Sequence, residues 1–260
     1  MSLRICSLAS GSSGNCYVVC TEDTVLLVDA GISGKQIKER LESIGLNVND
    51  VNAVLITHEH SDHIKGLPAL IKLNRRIYAS EKTLEVMDCD LGTDYSTGFC
   101  PGEELEIGDI TVNTFSVSHD ACDPVGFSFE SDGKVISIVT DTGCISEEIK
   151  SYIAKADILV LESNHDENVL KVGPYPWFLK QRILSDEGHL SNEAAANVLA
   201  EVISKDPKNR TVLLAHLSKE NNFPEMARAT IENILRERGC SPRSCQVQVL
   251  SRSEVSKVYE

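Results

Sequence analysis

The sequence predicts an α/β sandwich with two sheets inside and helices outside. Strand-length apolar runs alternate with helical 3–4 spacing toward both ends of the chain. Between them, residues 103–140 alternate apolar and polar side chains through several successive strands. No unit repeats at a solenoid period, and no composition break marks a boundary. The 260 residues therefore read as one domain with two sheet halves, roughly 1–145 and 146–260. At 42% hydrophobic residues, that length buries a sizeable core.

The elements follow in order. Residues 4–8 and 17–20 read as strands around a small-residue turn, Ser10 to Asn15, and 25–28 as a third strand ending at Asp29-Ala30-Gly31. Ser33 is placed to cap a helix over 35–44, where Ile37, Leu41 and Ile44 keep helical spacing and Gly45 stops it. The apolar run 51–57 is a strand buried on both faces. It leads into His58-Glu59-His60-Ser61-Asp62-His63 and one helix carrying Ile64, Leu67, Leu70 and Ile71. A strand (76–79), a helix (81–87) and a loop (90–102) precede four strands, with Asp132-Gly133 as a hairpin turn. Ser146 then opens a helix to 155, 157–162 is a buried strand, and 163–190 is irregular. A helix (192–203), a strand (211–215), a helix (224–238) and a strand (247–250) close the chain.

Composition narrows the function classes. No apolar run is long enough to span a bilayer, and the start, MSLRICSLASGSSGNC, lacks the apolar stretch of a secretory signal. A cytoplasmic location is expected. The nine cysteines are odd in number and contain no C-x-x-C pair, so they read as free thiols rather than a disulfide framework. Thirty-nine acids against 25 bases give a net charge of −14, which argues against broad, charge-driven clamping of nucleic acid. It leaves room for a polyanion bound at a metal site, where divalent ions concentrate positive charge.

Three of the seven histidines fall in H-x-H-x-D-H, at residues 58–63. Imidazole and carboxylate together suit divalent transition ions. Where a buried strand meets a helix, His58 and His60 project from the loop toward one ion. Asp62 and His63 begin the helix, point elsewhere and serve a second. Such a pair of ions needs further ligands, and His119, Asp141 and His216 each stand at the end of an apolar strand. A polar loop whose histidines merely hydrogen-bond is the duller alternative, and the spacing argues against it.

H-x-H-x-D-H followed by a lone His, a lone Asp and a final His resembles the metallo-β-lactamase superfamily along essentially the whole chain. The resemblance implies a four-layer αββα sandwich with the site at one edge between two sheets. It implies His58, His60 and His119 on one ion, Asp62, His63 and His216 on a second, and Asp141 bridging them. Asp29, in VDAG, matches the superfamily's first-motif Asp and would support the ligands from behind. THEHSDHIKGLPALI is similar to ribonuclease Z and related phosphodiesterases rather than to glyoxalase II relatives. Flavodiiron oxidoreductases carry Glu where His60 stands, which disfavours redox chemistry.

DILVLESNHD and GHLSNEAAA are similar to later ribonuclease Z segments and give Glu162 and His189 the roles of that family's Glu and His, although Leu161 replaces a further His. LASGSSGNCYVV, THEHSDHIKGLPAL, TDTGCIS, ESNHDENVLKVGPYPWFLKQRILSDEGHLSN and AHLSKENN resemble the YycJ (WalJ) group of bacterial exonucleases. That group is described as acting 5′-to-3′ on DNA. Asp141 and His216 lie 75 positions apart, too close for the inserted cap domain of ribonuclease J relatives. The Gly/Pro-rich arm with which ribonuclease Z holds tRNA is also absent.

The expected function is a dinuclear metal-dependent phosphodiesterase, a 5′-to-3′ DNA exonuclease using a metal-bridging hydroxide. Its cofactors would be two divalent ions, zinc, manganese or iron, and its substrate duplex DNA with a 5′ end. Asp62 would ligate and orient the hydroxide. His189, oriented by Glu162, would protonate the leaving 3′-oxygen, with His165 as second candidate. Ser13 and Asn15 in the small-residue turn, and Ser191 and Asn192 after His189, are candidate substrate contacts, as are Ser218, Asn221 and Asn222. The segment 171–182, with Trp177, Phe178 and Lys180, mixes aromatic and basic side chains as single-strand sites do. Packing of those aromatics on a sheet edge is the competing use. Other readings stay open: hydrolysis of a small cyclic or nucleotide-like phosphodiester, thioester or lactam hydrolysis, and a metal-holding regulator without turnover.

Overall fold

The computed structural model describes residues 2–87, 95–241 and 245–260; Cys89 and part of the loop expected at 90–102 lie outside them. Strands β1 (Arg4–Ala9), β2 (Cys16–Cys20), β3 (Val25–Val28), β4 (Ala53–Leu55), β5 (Arg76–Ser80) and β6 (Ser96–Phe99) form a six-stranded sheet in that order. Pairing is antiparallel from β1 to β3 and parallel from β3 to β6. A seven-stranded sheet runs in sequence order from β7 (Glu104–Ile107) through β8 (Ile110–Ser116), β9 (Val125–Ser131), β10 (Lys134–Val139), β11 (Ile158–Glu162) and β12 (Arg210–Ala215) to β13 (Cys245–Val249). β7 to β9 are antiparallel, and β10 to β13 are parallel.

The chain gathers into two interleaved compact units, residues 1–116, 121–134 and 251–260 in the first, 117–120 and 135–250 in the second. β7 to β9 pair as a local meander within the first unit. The C-terminal tail returns to it as well, because Tyr259 and Ile5 exchange backbone hydrogen bonds of 2.9 and 2.8 Å.

The first unit holds α1 (Gly34–Ser43), α2 (Ser61–Ile64), α3 (Leu67–Ile71) and α4 (Glu81–Val86). Ser33 caps α1 through a reciprocal capping box with Gln36, and the buried Ile37 and Leu41 join Leu67, Leu70, Val18, Leu27 and Val54 in one apolar core. The second unit holds α5 (Glu147–Lys155), α6 (Glu167–Val172), α7 (Trp177–Ile183), α8 (Asn192–Lys205) and α9 (Pro224–Glu237), with α8 against both α5 and α9. Its parallel strands β11 and β12 are almost wholly buried, as their unbroken apolar runs require.

Three elements depart from expectation. The single helix after the histidine motif is split into α2 and α3 at Lys65-Gly66, where Gly66 N–H donates to Ala30 O at 2.6 Å. A Cβ at Gly66 would meet Ile32 O at 2.2 Å, so only glycine admits that approach. Residues 96–99, expected as loop, form β6, an edge strand whose largely exposed residues carry no alternation. The irregular segment 163–190 contains α6 and α7, whose buried residues are too few to show a helical period. Asp166 caps α6, accepting from the N–H groups of Asn168 and Val169. Every described cysteine is free, and no described helix is long and apolar enough to cross a membrane.

Candidate metal centre

Two constellations of ionisable side chains gather the sequence-predicted ligands, one in each unit. The first sits where β3 and β4 end. Asp29 follows β3 with φ of 61°, a left-handed conformation that Asp, Asn and His tolerate best among non-glycine residues. That turn sends its carboxylate inward, where Oδ1 accepts from Thr57 N–H at 2.9 Å and Oδ2 lies 2.7 Å from His63 Nδ1. The contact holds the proton on Nδ1 and leaves the Nε2 lone pair for other use. Burial raises the Asp29 carboxyl despite the opposing pull of His63 and Thr57. Thr57 Oγ1 also contacts His58 Nδ1 and His63 Nδ1, at 3.0 and 3.1 Å, so one hydroxyl sets two rings.

His58 Nε2 lies 3.1 Å from His60 Nδ1, while His63 Nε2 is 3.7 Å from Asp62 Oδ2. Two ligand nitrogens on one tetrahedral ion stand roughly 3.3 Å apart, so the His58–His60 pair fits a shared divalent ion. Asp62 is delivered by tight backbone packing. Asn15 N–H donates to Asp62 O at 2.8 Å, and a Cβ on Gly31 would fall 1.6 Å from that same oxygen.

The second constellation lies at the ends of β10, β11 and β12. Asp141 and His216 both adopt φ of 55°, so three of the five described non-glycine residues with positive φ belong to these clusters. Each such residue costs about 1–3 kcal/mol, which surrounding contacts must offset. The fully buried Glu162 supplies them: Oε1 is 2.8 Å from both His189 Nδ1 and His216 Nδ1, and Oε2 accepts from Thr142 and Leu190 N–H. Burial acts to raise this carboxyl, but the two imidazoles outweigh it and hold it well below the ordinary range. Asp141 Oδ1 approaches His216 Nδ1 at 3.3 Å, and ligand atoms of Asp141, Glu162, His189 and His216 all lie within 4.8 Å of one another. His119 Nδ1 faces Gly188 O at 3.2 Å, and burial lowers its basicity. Ring nitrogens steered from behind by a carboxylate or carbonyl are the usual preparation for metal ligation.

A family model described as a β-lactamase superfamily domain matches residues 24–217. The chain belongs to the β-lactamase superfamily. Within that superfamily it is 45% identical over 243 residues to exodeoxyribonuclease YycJ of Bacillus anthracis, covering 92% of this chain and 91% of that protein. It is 44% identical over 234 residues to exodeoxyribonuclease WalJ of Streptococcus pneumoniae, covering 88% and 86%. Among solved structures, the metallo-β-lactamase fold protein YhfI of Bacillus subtilis matches with a TM-score of 0.72 at 17% identity, covering 99% of this chain and 100% of that one. Zn2+-bound PqqB of Methylobacterium extorquens matches at 0.70 and 17%, covering 98% and 99%. The αββα class expected from the motif therefore holds. As a β-lactamase superfamily protein with these His/Asp clusters, the chain is a metal-dependent hydrolase with a divalent metal site.

The superfamily motif does not place the substrate contacts, and the residues expected to make them lie in varied surroundings. Asn15 is buried, its Oδ1 accepting from Gly11 N–H and its Nδ2 3.1 Å from His63 Nε2, so it positions the motif instead of facing solvent. Ser13 is exposed. Lys180 is buried, its Nζ donating to Lys171 O and Gly173 O at 2.8 and 2.7 Å, which takes it from any phosphate. Ser191 caps α8, and Asn192 is wholly buried in an amide network with Ser163 and Asn222. His165 is also buried, and neither ring nitrogen has a hydrogen-bond partner among the described residues. Trp177 and Phe178 are exposed. Thr57 and Asn164, whose Nδ2 donates to His216 O at 2.9 Å, were missed. Adjacency to His58 was the one available signal for Thr57.

Proposed function

We propose that this chain is a dinuclear exodeoxyribonuclease that degrades DNA from a 5′ end, in the cytoplasm. The observation that carries the reading is near full-length likeness to two relatives named exodeoxyribonucleases, at 45% and 44% identity. His58, His60 and His119 would hold one ion, Asp62, His63 and His216 the other, and Asp141 would bridge, with zinc, manganese or iron as occupant. Divalent ions held there would supply Lewis acidity toward the phosphate and a nucleophile drawn from water at neutral pH. Asp62, a quarter exposed at its side chain, is open enough to orient that water.

Glu162 Oε1 accepts a hydrogen bond from His189 Nδ1–H, so Nε2 would be the atom that hands over a proton. The His189 side chain is 18% exposed, enough to meet a leaving 3′-oxygen. Ser13 is left as a substrate contact from the first turn. A second reading, hydrolysis of a small phosphodiester, is favoured by one observation: the cations of residues 171–182 are engaged within the protein.

Linear duplex DNA labelled at either end tests both. Loss of the 5′ label with manganese, magnesium or zinc, absent in Asp62→Ala, is expected. No cleavage of DNA alongside turnover of a small diester would move the substrate to small molecules.

A further inference from the structure

Resting on that reading, we propose that Trp177 and Phe178 are a stacking platform for nucleobases near the end of a DNA strand, engaged through their rings rather than through phosphate charge. Val172, Trp177 and Phe178 are 86%, 67% and 72% exposed, the three most exposed large apolar side chains among the described residues, and they fall within seven positions. Exposed aromatic faces of this kind, next to a hydrolytic site, suit bases, because every base presents a π-face. Electrostatic capture by the same segment is disfavoured. Lys171 pairs with Glu167 at 2.8 Å, Lys180 is spent on two carbonyls, and Arg182 pairs with Asp120.

The platform is tied to the candidate proton donor. Ile183 O, at the last residue of α7, accepts His189 N–H at 3.0 Å. A Cβ on the intervening Gly188 would meet Arg182 O and Ile183 O at 2.3 Å, so the two segments are in close backbone contact. Trp177 opens α7 six residues earlier, about 9 Å along the axis. Stacked bases rise about 3.4 Å each, so that span is the length of two to three stacked bases.

Trp177 is the one tryptophan of the chain, so its emission reports on this platform alone. The probe is a hydrolysis-resistant phosphorothioate strand added to zinc-loaded protein, compared with an abasic strand of equal length and charge. The expected result is saturable quenching by the base-bearing strand, binding about 5- to 150-fold tighter than the abasic one. In cleavage of ordinary DNA, the same preference should appear in KM, vanish in Trp177→Ala and return largely in Trp177→Phe. Equal response to both strands, or none, overturns the platform. So does emission that changes with protein concentration alone, which would assign the patch to a second copy. DNA cleavage without base-dependent quenching sinks the platform and spares the nuclease reading; quenching without any DNA cleavage does the reverse.

Discussion

Glu162→Gln is the sharpest probe of how the second constellation is held. The carboxylate accepts from four donors, two imidazole Nδ1–H groups on Oε1 and two backbone N–H groups on Oε2. Glutamine keeps the shape but offers one carbonyl oxygen, so its amide must face either the two imidazoles or the two backbone donors. Each buried donor left without an acceptor costs about 1–3 kcal/mol, roughly 2–6 kcal/mol for the pair. For a chain of this size that lowers the midpoint of metal-free thermal unfolding by roughly 5–20 °C. Loosening His189 and His216 should also weaken metal binding by about 10- to 100-fold. Thermal unfolding in excess chelator reads the first effect, and competition against a chromophoric chelator reads the second. A variant that melts with the parent and binds metal as tightly would refute the claim that Glu162 organises the cluster.

Asp29→Asn should tolerate the left-handed backbone but lose the charge that fixes the His63 tautomer; metal affinity is expected to fall about 10- to 100-fold with little change in backbone structure, checked by the same competition and by circular dichroism. Gly31→Ala drives a methyl to within 1.6 Å of Asp62 O, so a loss of at least about 3 kcal/mol in urea unfolding is expected, together with lost turnover. His165 carries a pH signature: burial pushes its imidazole down to about 4 from 6.5. The unfolded chain then binds the extra proton between those values, so stability is full above pH 6.5 and falls as the pH drops toward 4. The shift is worth about 3 kcal/mol, and His165→Leu, unfolded in chelator across that range, should show an acid slope shallower by that amount. An unchanged slope would mean the imidazole is not held neutral.

The sequence by itself brought forward the histidines and aspartates that the two clusters gather, and most of the elements. Ser33 and Ser146 announce their helices because a cap is a local hydrogen bond, and the runs 25–28, 157–162 and 211–215 announce buried strands because burial on both faces removes polar residues. H-x-H-x-D-H is legible because its spacing is itself the geometry. Tertiary structure alone decided what the neighbours of those ligands do. Asn15, Lys180 and Asn192 looked available to a substrate, yet each is engaged by a ring, a carbonyl or an amide elsewhere in the fold. The short helices α6 and α7 were hidden for a related reason: few of their residues face the core, so no period is written. A side chain's type fixes what it can bond, but which bonds remain for a ligand depends on what folding has already satisfied.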